Sequence, residues 1–148
     1  MSDEMALLVA DVFEAAGLLR RTGEAIAAAE GQTQARWQLL SVVSETPLTV
    51  PRAARRLGIA RQGVQRVAND LVGEGLAAFE ANPDHKGSPL LALTPTGQRT
   101  LRKITARATE VHQELIGGIR PDEIGAARDL LRRLIGQVRH YEEGRGGR

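Results

Sequence analysis

Arg61, Gln62, Gln65, Arg66 and Asn69 share one side of a helical period, and each carries hydrogen-bond donors and no carboxylate. Side chains of these types read the edges of base pairs. An arginine can give two donors to O6 and N7 of guanine, and a glutamine or asparagine can pair in the same bidentate way with adenine. The opposite side carries Val64, Val67, Ala68, Leu71 and Val72, at i, i+3, i+4, i+7 and i+8, the spacing of one buried helical stripe. The stretch from Arg61 to Glu74 therefore reads as an amphipathic helix with a basic, amide-bearing outer face. Solvated helix faces usually mix Glu with Lys in i,i+4 pairs, whereas here the first acid, Asp70, lies past the donors. The helix alone fits a solvated face and a base-reading face equally. Its neighbours in the chain decide between them.

A shorter helix precedes it. Thr49 is placed to cap the first turn, and Pro51 is tolerated there because first-turn amides have no intrahelical acceptor to lose. Ala53, Ala54 and Leu57 form the inner side, Arg52, Arg55 and Arg56 the outer. Gly58 ends the helix through its access to positive φ, with Ile59 expected as the apolar plug of the turn. Ala60 then opens the longer helix as a weak cap, and Gly63 is a poor helix former in its first turn. Either the two small residues admit a phosphate close to the backbone, or they are a tolerated local weakness. Gly75 stops the second helix. Leu76–Glu80 and Leu90–Leu93 read as two short strands, and Asn82, Pro83, Gly87 and Pro89 mark the loop between them. Asp84, His85 and Lys86 sit at its tip, and His85 reads as a polar loop residue, since no cysteine or second histidine lies near enough to complete a zinc site. Helix, turn, helix and hairpin in this order make a winged helix-turn-helix. Such units set the start of the second helix against base edges in the major groove. The wing meets the backbone or minor groove alongside, and Arg52 and Lys86 are placed to hold phosphates.

The passages LTVPRAARRLGIARQGVQRVANDLVGEGLAAF and NPDHKGSPLLALTPTGQ closely resemble the MarR (multiple antibiotic resistance regulator) family in order and spacing, and the flanking helices fall where that family has them. The resemblance implies a homodimeric transcription regulator, of repressor type, that binds a palindromic operator in double-stranded DNA. It also implies a small aromatic or phenolic acid that tunes the binding. Recognition-helix positions carry over onto Arg61, Gln62, Gln65 and Arg66, and wing-tip positions onto His85 and Lys86. Two departures stand out. Ala60 and Gly63 replace hydroxyl residues that often meet phosphate in the family, and Asp84-His85-Lys86 stands where arginine-rich tips are common, which weakens minor-groove insertion.

At 148 residues the chain fits one domain with a real core. Aromatic residues make up 3%, too few for the stacking platforms that single-stranded nucleic acid requires, so duplex DNA is the better partner. The net charge of +2 hides an asymmetry: residues 1–30 hold six acids against two arginines, and residues 50–70 hold five arginines against one acid. A basic module beside an acidic one suits docking to phosphates through one face. The absence of cysteine excludes disulfides and thiol redox sensing. The acidic start and the lack of a long apolar run lead to the expectation of a cytoplasmic protein.

The remaining helices are expected over Met5–Ala29, Gln34–Ser44 with Trp37, Leu40 and Val43 inward, Thr94 to about Gly117, and from Pro121 with the stripe Ala127, Leu130, Leu131, Leu134, Ile135 and Val138. The first is apolar on most sides and so needs cover on more than one. Together with the last it points to an intertwined dimer, although an intramolecular bundle also accommodates the stripe. The expected fold is mainly α with a small β-wing. A single domain, 1–148, has dimerisation helices in 1–30 and 95–142, the winged helix-turn-helix in 31–94, and a flexible tail in 143–148.

An enzyme is not expected. His112-Gln113-Glu114 contains an H-x-E, but the cysteine pair that a zinc deaminase needs cannot exist here. No phosphate loop, nucleophile elbow or cofactor motif appears. The rival reading is an architectural or non-specific DNA-binding protein without a ligand response; the Arg/Gln/Asn face favours base reading over phosphate-only contact. For the effector, the resemblance implies a cavity between the dimer helices and the reading head, lined by parts of the first, second and fifth helices. Phe13, Arg36 and Trp37 are candidate walls, with Arg36 able to pair a carboxylate. The same residues also read as plain core (Phe13, Trp37) and a solvated cation (Arg36).

Overall fold

The computed structural model describes residues 3–146. Two compact units emerge, one ending at Thr109 and one beginning at Glu110. In the first unit, α1 (Glu4–Ala28) starts at Asp3, whose carboxylate accepts from Met5 N at 2.9 Å. α2 (Gln34–Ser44) starts at Thr33, whose hydroxyl accepts from Arg36 N at 3.1 Å. The hydroxyl of Thr49 likewise caps α3 (Val50–Leu57), accepting from Arg52 N at 3.3 Å, and Gly58 closes that helix at φ 69°. α4 (Arg61–Gly73) follows, then β2 (Ala77–Glu80), β3 (Leu90–Leu93) and α5 (Pro95–Ile116), which runs on into the second unit.

A third strand, β1 (Leu48–Thr49), pairs antiparallel with β3, Leu48 opposite Leu91, so the sheet order is β1-β3-β2. The sequence reading has a two-stranded wing. Two residues between a proline and a helix are too short to show a period, and an isolated hairpin is marginal in water, so the extra strand supports β3 at Leu90 and Leu91, the end next to the wing loop. β2 and β3 pair from Ala77 opposite Leu93 to Glu80 opposite Leu90.

The core beneath the helix pair is aliphatic. Leu39, Leu40, Val64, Leu71 and Leu91 are each at most 1% exposed, around the small Ala53 and Ala68 that let α3 and α4 approach closely. Trp37 is half-buried and Leu39 takes the inward place beside Leu40 and Val43. Ile59, expected as the plug of the turn, is 46% exposed. The turn is instead closed through the backbone: Ile59 N donates to Ala54 O at 3.2 Å, spanning the left-handed Gly58.

The hairpin is fastened to α5 through Thr94. Its hydroxyl donates to Gly75 O at 2.6 Å and accepts from Gly97 N at 3.1 Å, while its backbone N donates to Leu76 O at 3.1 Å. Gly97 is buried, and a Cβ built there would overlap the Leu76 carbonyl oxygen. Glycine is required here by close approach rather than by backbone conformation.

In the second unit, α6 (Pro121–Gly146) begins with a side-chain cap in which Arg120 N donates to Glu123 Oε1 at 3.2 Å. No residue of α6 is buried within the chain, and Leu130, Ile135 and Val138 are 44–48% exposed. The helix runs through Gly146, past the start of the tail expected at 143–148; Gly147 and Arg148 lie outside the described residues. The guanidinium of Arg145 sits 5.8 Å from the Tyr141 ring centroid, one turn away, a cation–π spacing that also puts positive charge at the helix end. Among the described residues, no helix is long and apolar enough to cross a membrane.

Candidate nucleic-acid interface

α4 is positioned by its inner face. Val64, Ala68 and Leu71 are at most 1% exposed, and Val67 and Val72 are half-buried beside them. That packing turns Arg61, Gln62, Gln65, Arg66 and Asn69 outward, and all five are exposed. Gln65 Nε2 donates to Asn69 Oδ1 at 3.0 Å, an i,i+4 bond that orients both amides along one line of the helix. At the N-terminus Ala60 supplies no capping oxygen, which leaves the first-turn amides without a side-chain acceptor.

The charges are sorted along the helix. Among the described residues, Arg52, Arg55, Arg56, Arg61, Arg66 and Lys86 enter no ion pair. The acids near the end of α4 do: Glu74 lies 2.5 Å and Asp70 3.9 Å from the guanidinium of Arg36 on α2. The outer face thus keeps an unneutralised positive surface over its first turns, while Asp70 and Glu74 near its end are drawn back toward α2.

Asn82 shapes the wing loop. Its side-chain oxygen accepts from Asp84 N at 3.1 Å, and its amide nitrogen donates to Ser88 O at 3.0 Å. One residue thereby ties both limbs of the loop and holds His85 and Lys86 exposed at the tip. Arg52 is exposed on α3, beside the Thr49 cap. The eight residues read from the sequence as an interface are therefore all at the surface of α3, α4 and the wing.

The three candidate ligand walls separate. Phe13 is 74% exposed on α1. Arg36, expected to meet a ligand's carboxylate, meets the chain's own carboxylates at Glu74 and Asp70. Trp37 does line a cavity of about 470 Å³, together with Gln38, Ser41, Glu45, Arg56 and Leu57. That cavity lies between α2 and the last turn of α3. The first and fifth helices, expected as walls, contribute nothing to it. Sequence spacing does signal half of the lining, because Gln34, Gln38, Ser41 and Glu45 form a polar stripe along α2. The pairing of that stripe with Arg56 and Leu57 is tertiary and leaves no trace in the spacing. Among the described residues, no group of His, Cys, Asp or Glu is arranged to hold a metal ion.

The MarR family model matches residues 30–86, the span from α2 to the wing tip. An uncharacterised protein of Mycobacterium tuberculosis is 65% identical over 135 residues, covering 91% of this chain and 94% of that protein. A MarR/EmrR-family regulator from Acinetobacter superposes with a TM-score of 0.81 at 20% identity, over 94% of this chain and 99% of that one. The PcaV transcriptional regulator of Streptomyces coelicolor, solved in complex with its natural ligand, gives a TM-score of 0.67 at 24% identity, over 82% and 89%. The structural likenesses carry the winged-helix fold, and the family model covers the segment that bears the helix pair and wing. The chain belongs to the MarR family of transcription regulators.

Proposed function

We propose that this regulator binds double-stranded DNA in a sequence-specific way, acting as a homodimeric repressor on a palindromic operator. The observation that carries the reading is the outer face of α4, where five exposed donors stand free of any acid and their arginines free of any ion pair. Arg61, Gln62, Gln65, Arg66 and Asn69 read base edges and adjoining phosphates; Arg52, His85 and Lys86 hold the backbone. Two heads meet half-sites about 10 base pairs apart, centre to centre. Selection from a pool of random duplexes tests it: recovery of one palindrome supports base reading, and recovery of unrelated sequences at equal affinity supports an architectural protein instead. A cytoplasmic location goes with the reading.

The dimer is supported by apolar surface that the single chain leaves open. On α1, Phe13, Leu18 and Leu19 are 51–74% exposed, and on α6 Leu130, Leu131 and Ile135 are 39–46% exposed. Apolar side chains left open on each of these helices are what a second copy of the chain would cover. Replacing Leu131 and Leu134 by Glu is expected to leave monomer or aggregate in light scattering. A wild-type chain that is monomeric at micromolar concentration contradicts the dimer.

Release by a small aromatic or phenolic acid is the finer part of the proposal. Its support is the cavity beside Trp37, with Arg56 in its lining as the available cation. Phe13 and Arg36 lie outside that lining, so the ligand reading rests on Trp37. A ligand there touches the end of α3, next to the turn that leads into α4. Negative coupling between ligand and DNA of ~1–3 kcal/mol is typical of such linkage.

A further inference from the structure

We infer that Arg36 is a positioning residue for the recognition helix: from α2 it fixes how the far end of α4 lies, and so how Gln65 and Asn69 are presented to DNA. The inference rests on the base-reading role of α4 proposed above. Arg36 is one guanidinium with three acceptors, Glu74 at 2.5 Å, Asp70 at 3.9 Å and Gln32 Oε1 at 3.4 Å. Its side chain is 20% exposed although both acids are about half exposed. The cation is therefore held between two helices rather than waving in solvent, and its own backbone N is tied to the Thr33 cap at 3.1 Å.

The placement of the two acids gives the clamp its leverage. Asp70 and Glu74 are one turn apart on α4, and Asp70 follows directly on Asn69, whose side chain accepts from Gln65. The core of α4 below them is Val64, Ala68 and Leu71. Those side chains set which face of α4 turns inward. The far end of the helix, at Asp70 and Glu74, is tied sideways to α2 through Arg36 as well. Ordinary exposed pairs contribute little to stability, so the consequence falls on orientation more than on melting temperature.

The test compares four full-length proteins on the palindrome that the wild type selects: wild type, Arg36→Gln, the swap Arg36→Glu with Glu74→Arg, and the neutral set Arg36→Gln, Asp70→Asn, Glu74→Gln. Arg36→Gln is expected to lose about tenfold in operator affinity and to relax base preference at the positions read by Gln65 and Asn69. Its thermal midpoint should stay within a few degrees of wild type. The swap should recover most of the affinity and the preference. The neutral set should recover neither, because it removes the unmasked acids without restoring the clamp. Wild-type affinity and preference in Arg36→Gln, or full recovery in the neutral set, would overturn the inference. Failure of the wild type to select any site would instead refute the base-reading role on which it rests.

Discussion

Gly97→Ala is expected to destabilise the reading head more than any other single methyl addition. Gly97 is buried at the start of α5, and the added Cβ would overlap the carbonyl oxygen of Leu76. That atom is backbone, already bonded to Thr94 N at 3.1 Å, so it cannot swing aside as a flexible side chain could. Either α5 lifts away or the hairpin does. Both routes strain the Thr94 bonds to Gly75 and Gly97 that join them. Overpacking against fixed neighbours costs ~3 kcal/mol at the upper end of its usual range, and for a chain of this size that lowers Tm by roughly 10 °C. Gly63→Ala is the control: it also lies in a first turn but meets nothing within 4 Å, and alanine is the better helix former by ~1 kcal/mol. Thermal melts of the two variants should move in opposite directions. Equal, small shifts would mean that α5 and the hairpin are not in the contact described.

The second large effect falls on DNA rather than on folding. Arg61→Ala with Arg66→Ala removes two exposed cations that no acid in the described chain engages. The folded state should be almost indifferent to this, since surface changes away from any ion pair stay within about 0.5 kcal/mol. Operator binding should not be. At ~1 kcal/mol or more for each lost contact, two arginines on each of two heads amount to ~4 kcal/mol, or about a thousandfold in Kd. Titration of labelled operator at fixed salt measures it. A loss below tenfold would move the DNA-reading surface away from this face of α4.

The helix pair and the wing are legible in the sequence for local reasons. Val64, Val67, Ala68, Leu71 and Val72 declare a period, Thr49, Pro51 and Gly58 punctuate α3, and Asn82 to Pro89 mark a loop. Each of these signals is carried by residues a few positions apart. What escaped is what depends on distant residues meeting. β1 exists because Leu48 and Thr49 lie opposite Leu91 and Leu90, and two residues cannot show alternation. Arg36 reads as a ligand's partner because a guanidinium can pair a carboxylate; only the fold reveals Glu74 and Asp70 beside it. Ile59 looked buried because it is apolar, but a turn closed by backbone bonds has no need to bury it. Gly97 carries no sequence signal beyond its place after Thr94-Pro95-Thr96, since crowding by Leu76 is tertiary.

The central claim is that α4 reads bases while the wing holds the backbone, and one salt series separates the two. Operator affinity is measured from low to moderate salt for wild type, Gln65→Ala and Lys86→Ala, with site selection repeated for each. Gln65→Ala should relax the preferred base at one position per half-site, lose roughly 1–3 kcal/mol on the operator, and keep the wild-type salt slope. Lys86→Ala should keep the selected site and flatten the slope by about one unit for each phosphate contact given up. Gln65→Ala selecting the wild-type palindrome at undiminished affinity would contradict the account.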